Sequence, residues 1–277
     1  MNISAAAVKA LRDRTNQPMM DCKAALIEAN GDNDKAVEIL RKKSKDVQDK
    51  KVSREMAEGR IAAYVDAAQK VGALLEMRCE SAPVAKSDQF AQLANDVAKQ
   101  IALESPATVE ALLSQPLVDD PKRIVSDRIT DVVGLIRENM KPARMVRMTG
   151  LLGYYIHHDF SVGVMVQVEG AQADAQLLRD ISMHITAKNP LATRREDISA
   201  ETLAKEKEIA KSQAAAMGKP ANLVDKIAEG KMKTWFAENV LLEQPFVKDD
   251  SKTVGDLLKA AGLNLVKFVR FKVGELS

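Results

Sequence analysis

The feature that most constrains the fold is a strand–turn–helix unit that occurs twice. From Gly72 the chain reads Gly-Ala-Leu-Leu-Glu-Met-Arg-Cys-Glu, passes a short connection at 81–86, and enters a helical run through Phe90, Leu93, Ala94, Val97 and Ile101. Successive side chains of a strand point to opposite sides. Val71, Ala73, Leu75, Met77 and Cys79 therefore share one face, with Glu76, Arg78 and Glu80 on the other. The pattern returns at 162–169, followed by a helix carrying Leu177, Leu178, Ile181, His184 and Ile185. Each copy follows a shorter extended segment with tyrosine, 60–65 and 152–156, and ends near a proline, Pro106 and Pro190. A hairpin plus helix used twice predicts an α+β fold with two related core subdomains, each an antiparallel sheet with helices.

The chain of 277 residues suffices for two domains or for one with appendages. A net charge of +2 creates no global field toward nucleic acid, and 4% aromatic residues leave little material for base stacking, so no direct nucleic-acid contact is expected. Cys22 and Cys79, the only cysteines, supply neither a disulfide framework nor a metal quartet, which fits a reducing cytoplasm. The first residues lack the basic run and apolar core of a signal peptide. No apolar run approaches the roughly 20 residues of a membrane span. A cytoplasmic location away from membranes is expected.

Residues 1–42 predict three short helices. Ser4 caps the first, which turns Val8 and Leu11 inward; Pro18 starts the second, with Cys22, Leu26 and Ala29 along one face; Asn30-Gly31 stops it. Asp32 or Asp34 caps the third, with Val37, Ile39 and Leu40 buried. Such a small bundle suits docking better than catalysis. A basic linker is expected at 43–56; the charge run spans Arg41 to Arg54 and reads as a solvated linker, an exposed helix or an arm for an acidic surface. The core N-subdomain is placed at 57–142, with helices over 108–114 and 122–139. The C-subdomain follows at 143–277 and carries a coiled-coil-like helical hairpin insertion at 199–238, capped by Ser199, broken at Met217-Gly218-Lys219-Pro220 and reaching into solvent. Thr253 and Asp256 form a capping box, Gly262 ends that helix, and 265–273 alternates as a closing strand.

A search for chemistry finds no nucleotide cradle. Gly218-Lys219 lacks the first glycine of a phosphate loop, and Pro220 stands where serine or threonine is required. His157 and His158, taken as neighbours on a strand, point apart and do not share a metal. His184 on an apolar helix face reads as a satisfied structural histidine. There is no catalytic constellation and no cofactor or metal site to assign.

Several stretches resemble one family. Val8-Lys9-Ala10-Leu11-Arg12-Asp13-Arg14-Thr15, Met19-Met20-Asp21-Cys22-Lys23-Ala24-Ala25-Leu26 and Glu28-Ala29-Asn30-Gly31-Asp32 are similar to the N-terminal signature of translation elongation factor Ts. Ile181-Ser182-Met183-His184-Ile185 with Asn189-Pro190, Glu229-Gly230-Lys231-Met232-Lys233, and Gln244-Pro245-Phe246-Val247 with Ser251-Lys252-Thr253-Val254-Gly255 resemble later blocks in family order. The resemblance implies a ubiquitin-associated-like three-helix module, two related subdomains and a helical hairpin. It implies a non-enzymatic guanine nucleotide exchange factor that binds elongation factor Tu, both GDP-bound and nucleotide-free, and promotes GDP release, with a dimer of heterodimers as one possible assembly. By position, Arg12, Met19, Met20 and Lys23 would dock on the partner's GTPase domain and His157 on another domain. Met20 also fits a simple core position.

The family's magnesium-dislocating loop reads Thr-Asp-Phe-Val-Ala. This chain has Ser81-Ala82-Pro83-Val84-Ala85, so Ala82 replaces the acid and Pro83 the aromatic, with Pro83 expected to hold Ala82 extended. Three readings follow: exchange through a modified loop, an elongation factor Tu-binding protein or chaperone with weak exchange, or an unrelated enzyme on the scaffold.

Overall fold

The computed structural model describes residues 3–217 and 220–275, apart from the side chains of 221 and 222. Helices α1 (Ala5–Thr15), α2 (Met19–Glu28) and α3 (Asn33–Asp49) open the chain. Then come β1 (Glu58–Asp66), β2 (Val71–Cys79), a one-turn helix α4 (Ala82–Ala85), α5 (Asp88–Glu104), α6 (Val109–Ser114), α7 (Val125–Ile136) and β3 (Met140–Thr149). The second half has β4 (Leu151–Ile156), β5 (Val162–Glu169), α8 (Ala175–Lys188), α9 (Ala200–Ala216) and α10 (Ala221–Asn239). It ends with β6 (Pro245–Phe246), β7 (Asp249–Thr253), α11 (Val254–Ala260) and β8 (Asn264–Lys272).

Side-chain caps set the early helix starts. The Ser4 hydroxyl accepts from the Ala7 N–H, and Asp32, rather than Asp34, accepts from the Asp34 and Lys35 N–H groups. Val8, Leu11, Cys22, Leu26 and Leu40 close the module's core. α3 does not stop at residue 42. Leu40, Ser44 and Val47 lie three and four residues apart, so the buried stripe continues through the charge run. Ser44 is packed so tightly against α7 that a Cβ on Gly134 would lie 2.0 Å from its hydroxyl oxygen. Gln17 donates to the Asp131 carbonyl at 2.9 Å. The stretch expected as a linker, 43–56, is thus helix as far as Asp49, and the module rests directly on α7.

Two three-stranded antiparallel sheets have the orders β1-β2-β3 and β4-β5-β8, and β6 pairs with β7 in a short ribbon. The boundary expected at 142/143 falls inside β3, which pairs with β2 from Met140 opposite Cys79 to Thr149 opposite Val71. Pro142 sits beside the register shift at Glu76/Met77, on an edge strand, where its missing N–H costs little. The predicted helix over 122–139 is shorter, Val125–Ile136, and Ile124 is its exposed N-cap. Gly218 and Lys219 of the hairpin break lie outside the described residues; α9 and α10 pack on each other through Ala210, Ala214, Ala228, Met232 and Phe236.

The outer face of the first sheet buries Ala73, Leu75, Met77 and Cys79 against Phe90, Leu93, Val97 and Ile101 of α5. The second buries Val164, Val166 and Val168 against Leu178, Ile181 and Ile185 of α8. The other faces meet through Ile61, Leu74, Met148, Met165 and Phe271, giving helix, sheet, sheet, helix. β2 is consequently buried on both sides. Glu76, on the face that alternation marks as polar, is 2% exposed. Its carboxylate accepts from Arg144 Nε at 2.5 Å, Arg78 Nη1 at 2.9 Å and the Gly274 N–H at 3.0 Å. Arg144 also donates to the Lys272 carbonyl at 2.6 Å and lies 4.4 Å from the centre of the Phe271 ring. Removing one partner of a buried ion pair leaves the other charges uncompensated. Glu76→Ala is expected to lower stability by about 3–5 kcal/mol in urea denaturation, and a loss below about 1 kcal/mol would contradict this role.

Candidate functional site

The connection after β2 is a tight helical turn rather than an open loop. Ser81 is extended at φ −130°, and α4 begins at Ala82 with Pro83 in its first turn, so Ser81 and not Ala82 is the extended residue. Ala82 and Pro83 are exposed, while Val84 packs on the first core. The Ser81 hydroxyl makes no cap bond to α4. Instead its N–H donates to Glu138 Oε2 at 3.0 Å and its hydroxyl to Glu138 Oε1 at 2.6 Å. Beneath the turn, burial and the nearby Glu138 charge push the Cys79 thiol up to about 12, so it stays protonated and donates to the Ser81 carbonyl.

On the module, Arg12, Met19, Met20 and Lys23 are all exposed. Met20 is 72% exposed, which removes the core reading. Ile27, not anticipated as part of this surface, is 47% exposed and lies seven residues after Met20, on the same helix face as Lys23. The spacing 20, 23, 27 was the available signal. Asp21 beside them bonds Lys43 at 2.5 Å and Arg137 at 2.9 Å; burial opposes its charge, but these partners outweigh it and hold its carboxyl below the ordinary range.

His157 and His158 lie in the turn after β4, not on the strand. Their rings sit 4.2 Å apart instead of on opposite faces, because the alternation rule ends with the strand. His157 Nδ1 is 2.8 Å from Asp159 Oδ1. Burial works against the Asp159 charge, yet His157 and Ser161 hold its carboxyl well below the usual range. Phe160 in this turn has φ +64° and its carbonyl accepts from the Ile61 N–H at 2.8 Å. The buried Arg60 guanidinium lies 3.9 Å from the Phe160 ring centre and donates to the Ala85 carbonyl at 3.4 Å. Arg60 thus connects the His157 turn with α4, a link with no local signal in the sequence. Among the described residues, no group of three or more histidine, cysteine or acidic side chains could hold a metal, and no helix is long and apolar enough to cross a membrane.

These observations define an α+β protein of two packed sheets with a docked three-helix module, an exposed methionine-bearing face, and two tethered turns. The family model described as Elongation factor TS matches residues 80–275. Elongation factor Ts of Methylococcus capsulatus is 43% identical, covering 99% of this chain and 93% of its own. That of Aquifex aeolicus is 39% identical over 100% and 99%, and that of Clostridium botulinum 37% over 99% and 93%. The chain belongs to the elongation factor Ts family.

Two of the stretches that carry the likeness meet at His184. Its Nδ1 accepts from the Val247 N–H at 3.2 Å, so Nε2 carries the proton and donates to Gln244 Oε1 at 2.8 Å. Burial lowers its pKa from the usual 6.5; the Gln244 bond opposes this and Lys188 reinforces it. The folded state therefore holds the ring neutral while the unfolded chain takes up a proton first. Stability present above about pH 6.5 declines as pH falls below it, by up to about 1.4 kcal/mol per unit. His184→Gln is expected to flatten the loss between pH 7 and pH 5.5 in denaturant titrations; an unchanged slope would show that other groups cause it.

Proposed function

We propose that the chain is a guanine nucleotide exchange factor for elongation factor Tu in translation elongation. The observation that carries this reading is the end-to-end match to elongation factor Ts relatives at about 40% identity. The mechanism is linkage: a protein that binds the nucleotide-free partner more tightly than the GDP-bound one weakens GDP by the same factor. In this reading the three-helix module is ubiquitin-associated-like and docks Arg12, Met19, Met20 and Lys23 on the partner's GTPase domain, where flexible exposed methionines suit an apolar contact. His157 contacts another domain, and Ser81, Ala82, Pro83 and Val84 stand at the magnesium-dislocation position. The factor needs no cofactor of its own, works in the cytoplasm without touching nucleic acid or membrane, and assembles with its partner, a dimer of heterodimers being one arrangement.

A second reading, a binding protein or chaperone with weak exchange, is favoured by one observation: Ala82 and Pro83 are exposed but carry no acid and no aromatic ring. Burying a phenylalanine contributes about 1.5–3 kcal/mol, or about one to two decades in an equilibrium constant.

Stopped-flow release of a fluorescent GDP from the cognate elongation factor Tu is expected to accelerate on adding the chain. A tight complex with unchanged release would select the second reading, and failure to bind would sink both. Ala82→Asp with Pro83→Phe should raise the release rate; no gain would show that the partner's pocket has changed too or that another contact opens the site. Met20→Asp, which puts a charge into the module's apolar face, is expected to weaken the complex about tenfold or more by calorimetry. Unaltered affinity would remove Met20 from the interface.

A further inference from the structure

Three consecutive residues between α7 and β3 each hold a different part of the molecule. Arg137, at φ +63°, closes α7; its guanidinium donates to Asp21 on α2 at 2.9 Å, and its carbonyl accepts from Lys51. Glu138 takes both the N–H and the hydroxyl of Ser81. The buried Asn139 donates its N–H to Glu80 Oε1 at 2.6 Å, and its side-chain amide to the carbonyls of Val52 and Arg54 at 3.4 and 3.3 Å. Residues 137–139 thus link α2, through the largely buried Asp21, to the segment after α3 and the 81–85 turn.

We infer that residues 137–139 are a positioning element that couples helix α2 to the turn at 81–85, with Glu138 as the positioning residue for that turn. Three features carry this. Adjacent Cα atoms are about 3.8 Å apart, so a shift imposed on Arg137 moves Glu138 with little slack. A serine at an N-cap ordinarily serves its own helix, yet Ser81 gives its hydroxyl to Glu138 and leaves α4 without a side-chain cap. Both carboxylate oxygens of Glu138 engage one residue, which fixes the backbone and the side chain of Ser81 together. The contacts on α2 and the turn therefore act as one rigid unit, and displacement of α2 by a bound partner is felt at Ala82 and Pro83. The consequence for nucleotide release rests on the exchange reading; the coupling itself does not.

The test uses the full chain with two readouts: amide hydrogen exchange over 82–86, read at Ala82, Val84, Ala85 and Lys86 because Pro83 has no N–H, and GDP release from elongation factor Tu as a function of chain concentration. Ser81→Ala and Glu138→Gln are expected to speed amide exchange in this turn about tenfold, as loss of a charge-assisted hydrogen bond does. Both should lower the maximal release rate, Glu138→Gln while leaving the half-saturating concentration unchanged, and Ser81→Thr, which keeps the hydroxyl, should retain wild-type amide exchange. Arg137→Ala, or Asp21→Asn should Arg137→Ala not fold, is expected to speed exchange at 82–86 without altering any group in the turn. Unchanged exchange at 82–86 in a folded Arg137 or Asp21 variant overturns the coupling, and loss of melting temperature alone in Ser81→Ala overturns the positioning role. If wild-type chain fails to accelerate release while the Arg137 effect on amide exchange is present, the exchange reading falls and the coupling stands. Acceleration by wild type with no Arg137 effect is the reverse.

Discussion

The relation between the two sheets depends on the carboxylate of Glu76. The apolar side chains between the sheets, Ile61, Leu74, Met148, Met165 and Phe271, attract without direction and would tolerate sliding. The Glu76 cluster does not slide. It joins β2 to β3 through Arg144, returns to β2 through Arg78, and reaches the backbone after β8 at Gly274. Buried ion pairs add little net stability over a well-packed apolar alternative, because desolvation offsets attraction. What this one supplies is registration of one subdomain on the other. That registration sets Phe160, in the turn after β4, against Ile61 and Arg60 of β1.

The repeated unit was legible because two periodicities alternate in it: two residues for β2 and β5, three to four for α5 and α8. The helix caps at Ser4, Ser199 and Thr253 were legible for a local reason, since each serves an N–H within three residues. β3 was not. Its alternation is interrupted by Pro142 and by Arg144, which faces the other sheet, and its pairing with β2 spans some seventy residues, to which a local pattern is blind. The continuation of α3 was masked by charge: seven basic residues spoke for a linker, while Leu40, Ser44 and Val47 kept the helical stripe. Glu76 shows the general limit. Alternation identifies which residues share a face but not whether that face meets solvent or a second sheet.

At the site, the family resemblance located the turn and the α2 residues, and the exposure of Met19, Met20 and Lys23 gives them a surface to present. The groups that hold the turn were not legible. Arg60 and Glu138 approach Ser81 to Ala85 from 25 and 57 residues away in sequence, and neither belongs to a motif. Ala82 and Pro83 therefore sit on a turn held by side chains from two distant parts of the chain.

The topology of the second sheet has a consequence for the order in which the chain can be assembled. β8 pairs with β5 across an interval that includes α8, the whole helical hairpin and the β6–β7 ribbon. The first sheet, by contrast, is complete once Thr149 has been made. During synthesis the N-terminal half can therefore close its own core while β4 and β5 wait, one edge open, for the last strand to emerge. Glu76 gains its final donor only from Gly274, 198 residues further along. A nascent chain held short of that point keeps an unpaired strand edge and a buried carboxylate one hydrogen bond short, and this is the interval in which it is most exposed to wrong pairing.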